Sequence, residues 1–196
     1  MAVSGLLLSG FLVTHLAGNL LLLKGEAAFN AYAKALENNP LLPVAEVGLA
    51  AVFVIHILSG LWVSWENRQA RPVGYEASQW AGGKTIGSAT MAYTGFLLIA
   101  FLMVHLRTFR FTEHGGNLYR HVLEAFRNPL YTGFYVAAMG GMVLHLSHGF
   151  ASAFQTLGLA HPRAETLIKR SGLAFSLSML GFAALAVWAY FQGGPR

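Results

Sequence analysis

Long apolar blocks alternate with short polar connections along this chain. The blocks run from about Ala2 to Leu23, Leu41 to Trp65, Thr85 to Phe109, Leu130 to Leu159 and Ser171 to Phe191. A bilayer core takes about 20 apolar residues as helix, and each block meets that length. Charge is nearly absent inside them, the exceptions being Glu46 near the start of the second and Arg107 at the end of the third. Trp62, Trp65 and Trp188 fall near block ends, where membrane proteins place aromatic belts. The pattern predicts an all-α integral membrane protein of five transmembrane helices, forming a single domain over residues 1–196.

The connections differ in character. Glu26 to Leu36 reads as an amphipathic helix lying along the interface. The segments 66–84, 110–129 and 160–170 read as polar loops. The first block is not read as a cleavable signal peptide, having no basic leader and running on into a second span. Because it begins almost at Met1, further residues are expected to precede it.

Composition sharpens this picture. Of 196 residues, 55% are hydrophobic and 11% charged, which argues against both a disordered chain and an ordinary soluble globule. All eight acids are Glu, and cysteine is absent. Disulfides, zinc–cysteine sites, iron–sulfur clusters within the chain and thiol catalysis are thereby excluded. The net charge of +5 is spread over the connections. That suits lipid headgroups, cofactor carboxylates or a docked partner rather than nucleic acid. Lys and Arg do not orient the chain: six lie on the side of the N-terminus and the second and fourth loops, seven on the other. Gly82-Gly83-Lys84-Thr85 lacks the first glycine of a phosphate loop and reads as the start of a helix.

The candidate chemistry is histidine. Of eight, His114, His121 and His161 fall in connections; His15, His56, His105, His145 and His148 occupy the first four blocks. One such residue is as readily a helix–helix hydrogen bond as a site. Four helices each carrying one at or past mid-span is harder to explain by packing. Chain direction alternates, so His15 and His105 share one half of the bilayer, and His56 and His145 the other. Two imidazoles on facing helices at one depth suit the two axial positions of a haem. With no Asp or Cys and almost no Glu in the spans, hard-cation and zinc sites are poor rivals. Gly18, Gly60, Gly141 and Gly149 lie three or four residues from a histidine, on its helix face, and would let a flat ring approach. His105 has Phe101 and Phe109 there instead.

Several stretches carry a resemblance. SGFLVTHLAGNLLL surrounds His15, FNAYAKALE follows, and VAEVGLAAVFVIHILSGLWVSWENRQARPVGYE runs through His56. FLMVHLRTF surrounds His105, and HLSHGFASAFQTLGLAHPR begins at His145. Together they cover most of the chain. It resembles the single-chain, five-helix, di-haem cytochrome b anchor of succinate:quinone oxidoreductases and fumarate reductases. The departure is the missing basic segment before helix one.

The resemblance implies two haem b groups, with the first four helices as the haem-binding bundle. His56 and His145 would hold the proximal haem, and His15 and His105 the distal one. It implies a bacterial or archaeal cytoplasmic membrane, with the N-terminus and second and fourth loops cytoplasmic. An iron–sulfur subunit would dock on those loops and carry a flavoprotein subunit; a higher oligomer of the complex is compatible. Electrons would pass between succinate or fumarate and a quinone, menaquinone before ubiquinone. His145 and His148 are about 60° apart around a helix and cannot both be ideal ligands of one iron. The resemblance selects His145, leaving His148 as the alternative ligand or as support at the haem edge. Glu46, Asn19, Lys24 and Arg107 become candidates for the quinone, although an acid at a helix start also suits the dipole. Lys84, Ser88 and Gln155 become candidates for haem propionates, although basic residues at a membrane edge also snorkel. Rival readings are a di-haem cytochrome b of another oxidoreductase, a haem-free His-dependent proton or metal transporter, and a plain structural anchor.

Overall fold

The structure is a computed structural model that describes residues 1–70 and 85–192. Among these it is helical, with no strand. The order is α1 (Ala2–Asn19), a 3-10 turn (Leu20–Lys24), α2 (Glu26–Glu37), α3 (Leu42–Gln69) and α4 (Ile86–Phe109). Then follow α5 (Leu118–Phe126), α6 (Pro129–Thr156), α7 (Pro162–Ser178) and α8 (Leu180–Gln192).

Local chemistry sets the helix ends. Gly25, at φ 94°, makes the left-handed turn into α2 that a side chain would resist. Thr85 and Ser88 form a reciprocal capping box at the start of α4. Asn117 caps α5, Asn128 caps α6 and His161 caps α7, and a proline follows directly in the last two.

Among the described residues, four helical segments are long and apolar enough to cross a membrane: Ala2–Lys24, Leu42–Gln69, Ile86–Phe109 and Pro162–Gln192. The last comprises α7 and α8, which meet at a break around Met179. There Ser176 and Ser178 donate to the carbonyls of Leu173 and Phe175 at 2.8 and 2.7 Å. Such back-bonding competes with the helical ladder. The sequence expectation began this span at Ser171; the helix begins at Pro162 because the charged turn is capped and carries a Glu165–Lys169 pair. Between α4 and α6, where a loop was expected, stands α5.

α6 has 28 residues but is not among the four. His145, His148 and its glycines and serines dilute its apolar character. It is also the helix most enclosed by its neighbours, burying Thr132, Tyr135, Ala138, Met139, Gly141, Met142 and Ala153. α4 runs antiparallel along it: Gly87 meets Leu144 and His148, Leu97 meets Gly141, and Phe101 and Phe109 meet Tyr135. On its other sides lie α1, α7 and α8.

α3 is different. It runs antiparallel to α1, with His56 beside Gly5 and Phe53 beside Phe11. Leu42, Glu46, Leu49, Phe53, His56 and Gly60 mark one helical face by their partial cover, yet no residue of α3 is buried. Its inward face therefore borders open interhelical space. At the far end of α1, α2 and α5 are tied across the bundle. Asn30 Nδ2 donates to Asn117 Oδ1 at 2.9 Å, and Asn117 Nδ2 to Glu26 Oε1 at 2.7 Å. Beneath them Leu22, Phe29, Val122, Phe126 and Tyr135 form an apolar core with Ala186 and Ala189 of α8.

Candidate functional site

Four of the five histidines in the apolar blocks meet in two pairs. The rings of His15 on α1 and His105 on α4 lie 5.8 Å apart between centres, at 88°. Those of His56 on α3 and His145 on α6 lie 6.3 Å apart, at 70°. Neither pair is face-stacked. A metal between two imidazoles, with bonds of about 2 Å, requires roughly 6 Å between ring centres.

The pairs are also separated consistently along three helices. His56 abuts Ser4 and Gly5 on α1, about ten residues before His15, which is roughly 15 Å of helix. His145 abuts Thr94 and Gly95 on α4, again about ten residues before His105, or roughly 15 Å. On α6, Tyr135 faces His105, while His145 lies ten residues further on. The two sites are thus stacked along the bundle.

Three of the four rings are fixed through the same nitrogen. Nδ1 of His56 lies 3.2 Å from Ser4 Oγ, that of His145 3.2 Å from Thr94 Oγ1, and that of His105 3.0 Å from Tyr135 Oη. Where Nδ1 donates in such a contact, the ring is the tautomer that leaves Nε2 available to a metal. His15 is held by aromatic contact instead, between Phe11 at 5.1 Å and Phe182 at 5.5 Å. All four rings are partly accessible rather than sealed in the core. No group of three or more His or Glu side chains converges as ion ligands among the described residues. The donor sets are pairs of imidazoles, and pairs are what an axial haem site uses.

His148 stands on α6 against Gly87 of α4, whose added Cβ would lie 3.0 Å from His148 Cβ.

The glycines sit differently from the expectation of a ring-side face. An added Cβ on Gly18 would fall 2.6 Å from Tyr32 Oη, and one on Gly141 2.7 Å from Leu97 Cδ2. An added Cβ on Gly60 or Gly149 would lie 3.9 Å from Met1 Cε or Met91 Cε. These glycines admit neighbouring side chains. The glycines beside the histidines come from the facing helices: an added Cβ on Gly5 would lie 3.3 Å from His56 Cε1, and one on Gly95 3.9 Å from His145 Cε1.

Near the His15–His105 pair, α2, α3, α4 and α5 border an open cleft of about 490 Å³, lined among others by Glu37, Leu42, Glu46, Phe109, Arg110 and His114. That is within the usual size of a small-molecule pocket, roughly 300–1,000 Å³. Phe109 is shared: its ring centre is 5.4 Å from that of His105. Glu46 is held in a two-point ion pair by Arg110, at 2.7 and 2.9 Å.

The other sequence candidates have local roles. Asn19 donates to His15 O at 2.8 Å, fastening the end of α1. Lys24 ends the 3-10 turn and is exposed. Arg107 donates to Thr112 Oγ1 at 2.9 Å and to Phe111 O at 3.3 Å, closing the end of α4. Ser88 donates to Thr85 O and accepts from Thr85 N, so its hydroxyl serves the cap. Gln155 is exposed on the last turn of α6. Lys84 lies outside the described residues. Ser4, Thr94 and Tyr135 escaped the sequence reading, and His114 was set aside as a connection residue. Their partners lie far away in the chain, and no local spacing marks them.

Comparison with protein-family models, with curated proteins and with solved structures finds no match for this chain.

Proposed function

We propose that this chain is the di-haem cytochrome b anchor of a succinate:quinone oxidoreductase or fumarate reductase. In this reading α6 crosses the bilayer as a further span, shielded by its neighbours, and α1, α3, α4 and α6 form the haem-binding bundle. His56 and His145 ligate one haem b, and His15 and His105 the other. A haem iron with two imidazole ligands exchanges single electrons and has no free position for substrate. The chain's own contribution is to orient four imidazoles, to hold three through Nδ1, and to stack the sites at a spacing suited to electron transfer. Electrons then run between an iron–sulfur subunit, itself carrying a flavoprotein, and a quinone at the cleft beside Phe109. Menaquinone is the preferred quinone, and the cytoplasmic side is that of the N-terminus.

The observation that carries this reading is the pairing: two His–His pairs near 6 Å, about 15 Å apart along the bundle. The test is a reduced-minus-oxidised visible spectrum of the purified chain or complex, with pyridine haemochrome quantitation. Two b-type haems per chain are expected. A folded preparation without haem refutes the reading and leaves the transporter or the plain anchor.

A further inference from the structure

α4 and α6 serve both histidine pairs, and they do so reciprocally. α4 supplies His105 to one pair, and its Thr94 hydroxyl lies 3.2 Å from Nδ1 of His145 in the other. α6 supplies His145 to that second pair, and its Tyr135 hydroxyl lies 3.0 Å from Nδ1 of His105 in the first. The Thr94 hydroxyl donates within its own helix, to Thr90 O at 3.0 Å or Met91 O at 3.1 Å, which leaves its oxygen to accept from the His145 ring. How α4 sits on α6 therefore decides both contacts at once. α1 and α3 are not matched in this way. Ser4 of α1 meets His56 of α3, whereas His15 rests on Phe11 of its own helix and on Phe182 of α8.

One close approach lies between the two hydrogen bonds. An added Cβ on Gly141 of α6 would fall 2.7 Å from Leu97 Cδ2 of α4, so Leu97 is seated in the space the glycine leaves. Along the seam this point is roughly 5 Å from the Thr94–His145 contact and roughly 10 Å from the Tyr135–His105 contact. Close-packed helices transmit strain over such distances, and a gap opened at Gly141 reaches both contacts. At 3.2 and 3.0 Å, each lies within a few tenths of an ångström of the length at which a hydrogen bond is lost. We propose that the seating of Leu97 on Gly141 positions both His105 and His145, so that one seam sets the potentials of both haems. The inference rests on the di-haem reading given above. A displacement of this seam moves the two potentials in the same direction. Their difference, which drives electron transfer from one haem to the other, is then nearly unchanged.

The experiment is an optical redox titration of the purified full chain or complex, resolving both haems. Gly141→Leu is expected to press α4 away from α6 and to shift both one-electron equilibria toward the reduced form by about fivefold, or about 40 mV at 59 mV per tenfold. Gly141→Ala is expected to shift both by less, in the same direction, and carries the test if the larger residue prevents assembly. Leu97→Ala combined with Gly141→Leu moves the bulk across the seam and is expected to return both potentials to the wild-type values. Gly140→Leu is the control: this glycine is exposed, an added Cβ there meets nothing within 4 Å, and neither haem is expected to move. The inference is overturned if the Gly141 variants leave both potentials in place, if only one haem moves, if Gly140→Leu has the same effect, or if the paired change does not restore both. A wild-type chain that folds without haem refutes the di-haem reading instead. The seam is then judged in the haem-free chain from the ring nitrogen-15 resonances of His105 and His145. Gly141→Leu is expected to move both and the paired change to restore them, and movement of one alone or of neither overturns the positioning.

Discussion

If the chain carries two haems as proposed, Tyr135→Phe should shift the midpoint potential of one and not the other. Tyr135 is 5% exposed, and its ring packs 4.8 Å from both Phe101 and Phe126. Phenylalanine keeps that packing and removes only the hydroxyl. Two interactions are lost, with His105 Nδ1 at 3.0 Å and with the donating hydroxyl of Tyr131 at 3.0 Å. Each is worth roughly 0.5–1.5 kcal/mol in stability, toward the low end inside a membrane bundle. An imidazole that donates from Nδ1 is the more basic ligand through Nε2, and a basic ligand favours oxidised iron. If about 1 kcal/mol of that effect is specific to the oxidised form, its loss raises the potential by about 40 mV, a tenfold change in a one-electron equilibrium being about 59 mV.

The assay is an optical redox titration that resolves both haems. Thr94→Val provides the mirror test, because Thr94 Oγ1 lies 3.2 Å from Nδ1 of His145. Tyr135→Phe should move only the haem of His15 and His105, and Thr94→Val only that of His56 and His145. A shift below about 10 mV in both, or a shift in the opposite haem, refutes the argument that these hydroxyls set ligand strength.

Pyridine haemochrome quantitation of single variants tests the pairing. His15→Ala and His105→Ala should lose the same haem, His56→Ala and His145→Ala the other, and His148→Ala neither. Gly87→Ala should destabilise the seam between α4 and α6 by about 1–3 kcal/mol in a denaturation assay. Its new Cβ would meet Leu144 O and Ser147 Oγ at 2.9 Å, and a backbone oxygen cannot swing away. Arg110→Ala removes an exposed ion pair with Glu46 and should cost less than about 1 kcal/mol, an effect that fades with added salt.

Much of this was legible in the sequence, and the limits are physical. The apolar blocks located α1, α3 and α4 closely, because a long run without charge leaves little ambiguity. The alternation of chain direction was enough to sort His15 with His105 and His56 with His145 by depth. α5 was missed because a two-turn amphipathic helix between arginines resembles a polar loop until Val122 and Phe126 find the core under α2. The start of α7 was misplaced because Arg163, Glu165, Lys169 and Arg170 were weighed as loop charge, although a capped helix carries them well. The glycines show the sharper limit. Spacing reports which residues share a helix face, but not what stands opposite. Tyr32 and Leu97 occupy the ground before Gly18 and Gly141, while Gly5 and Gly95 reach the histidines from other helices.

The same distinction explains α6. Hydropathy measures how well a helix suits lipid, and so it favours helices at the periphery. A helix at the centre of a bundle meets other helices instead. Its surface can hold Thr132, Tyr135, His145 and His148, provided neighbours satisfy them, as Phe126 O does for the Thr132 hydroxyl at 2.8 Å. α3 shows the converse, being highly apolar with no buried residue. Here α6 supplies His145 to one pair and the Tyr135 hydroxyl to the other, and it packs against both α1 and α4. A polar residue that looks costly on a single membrane helix is thus a sign of that helix's position, and the fold follows from placing it inside.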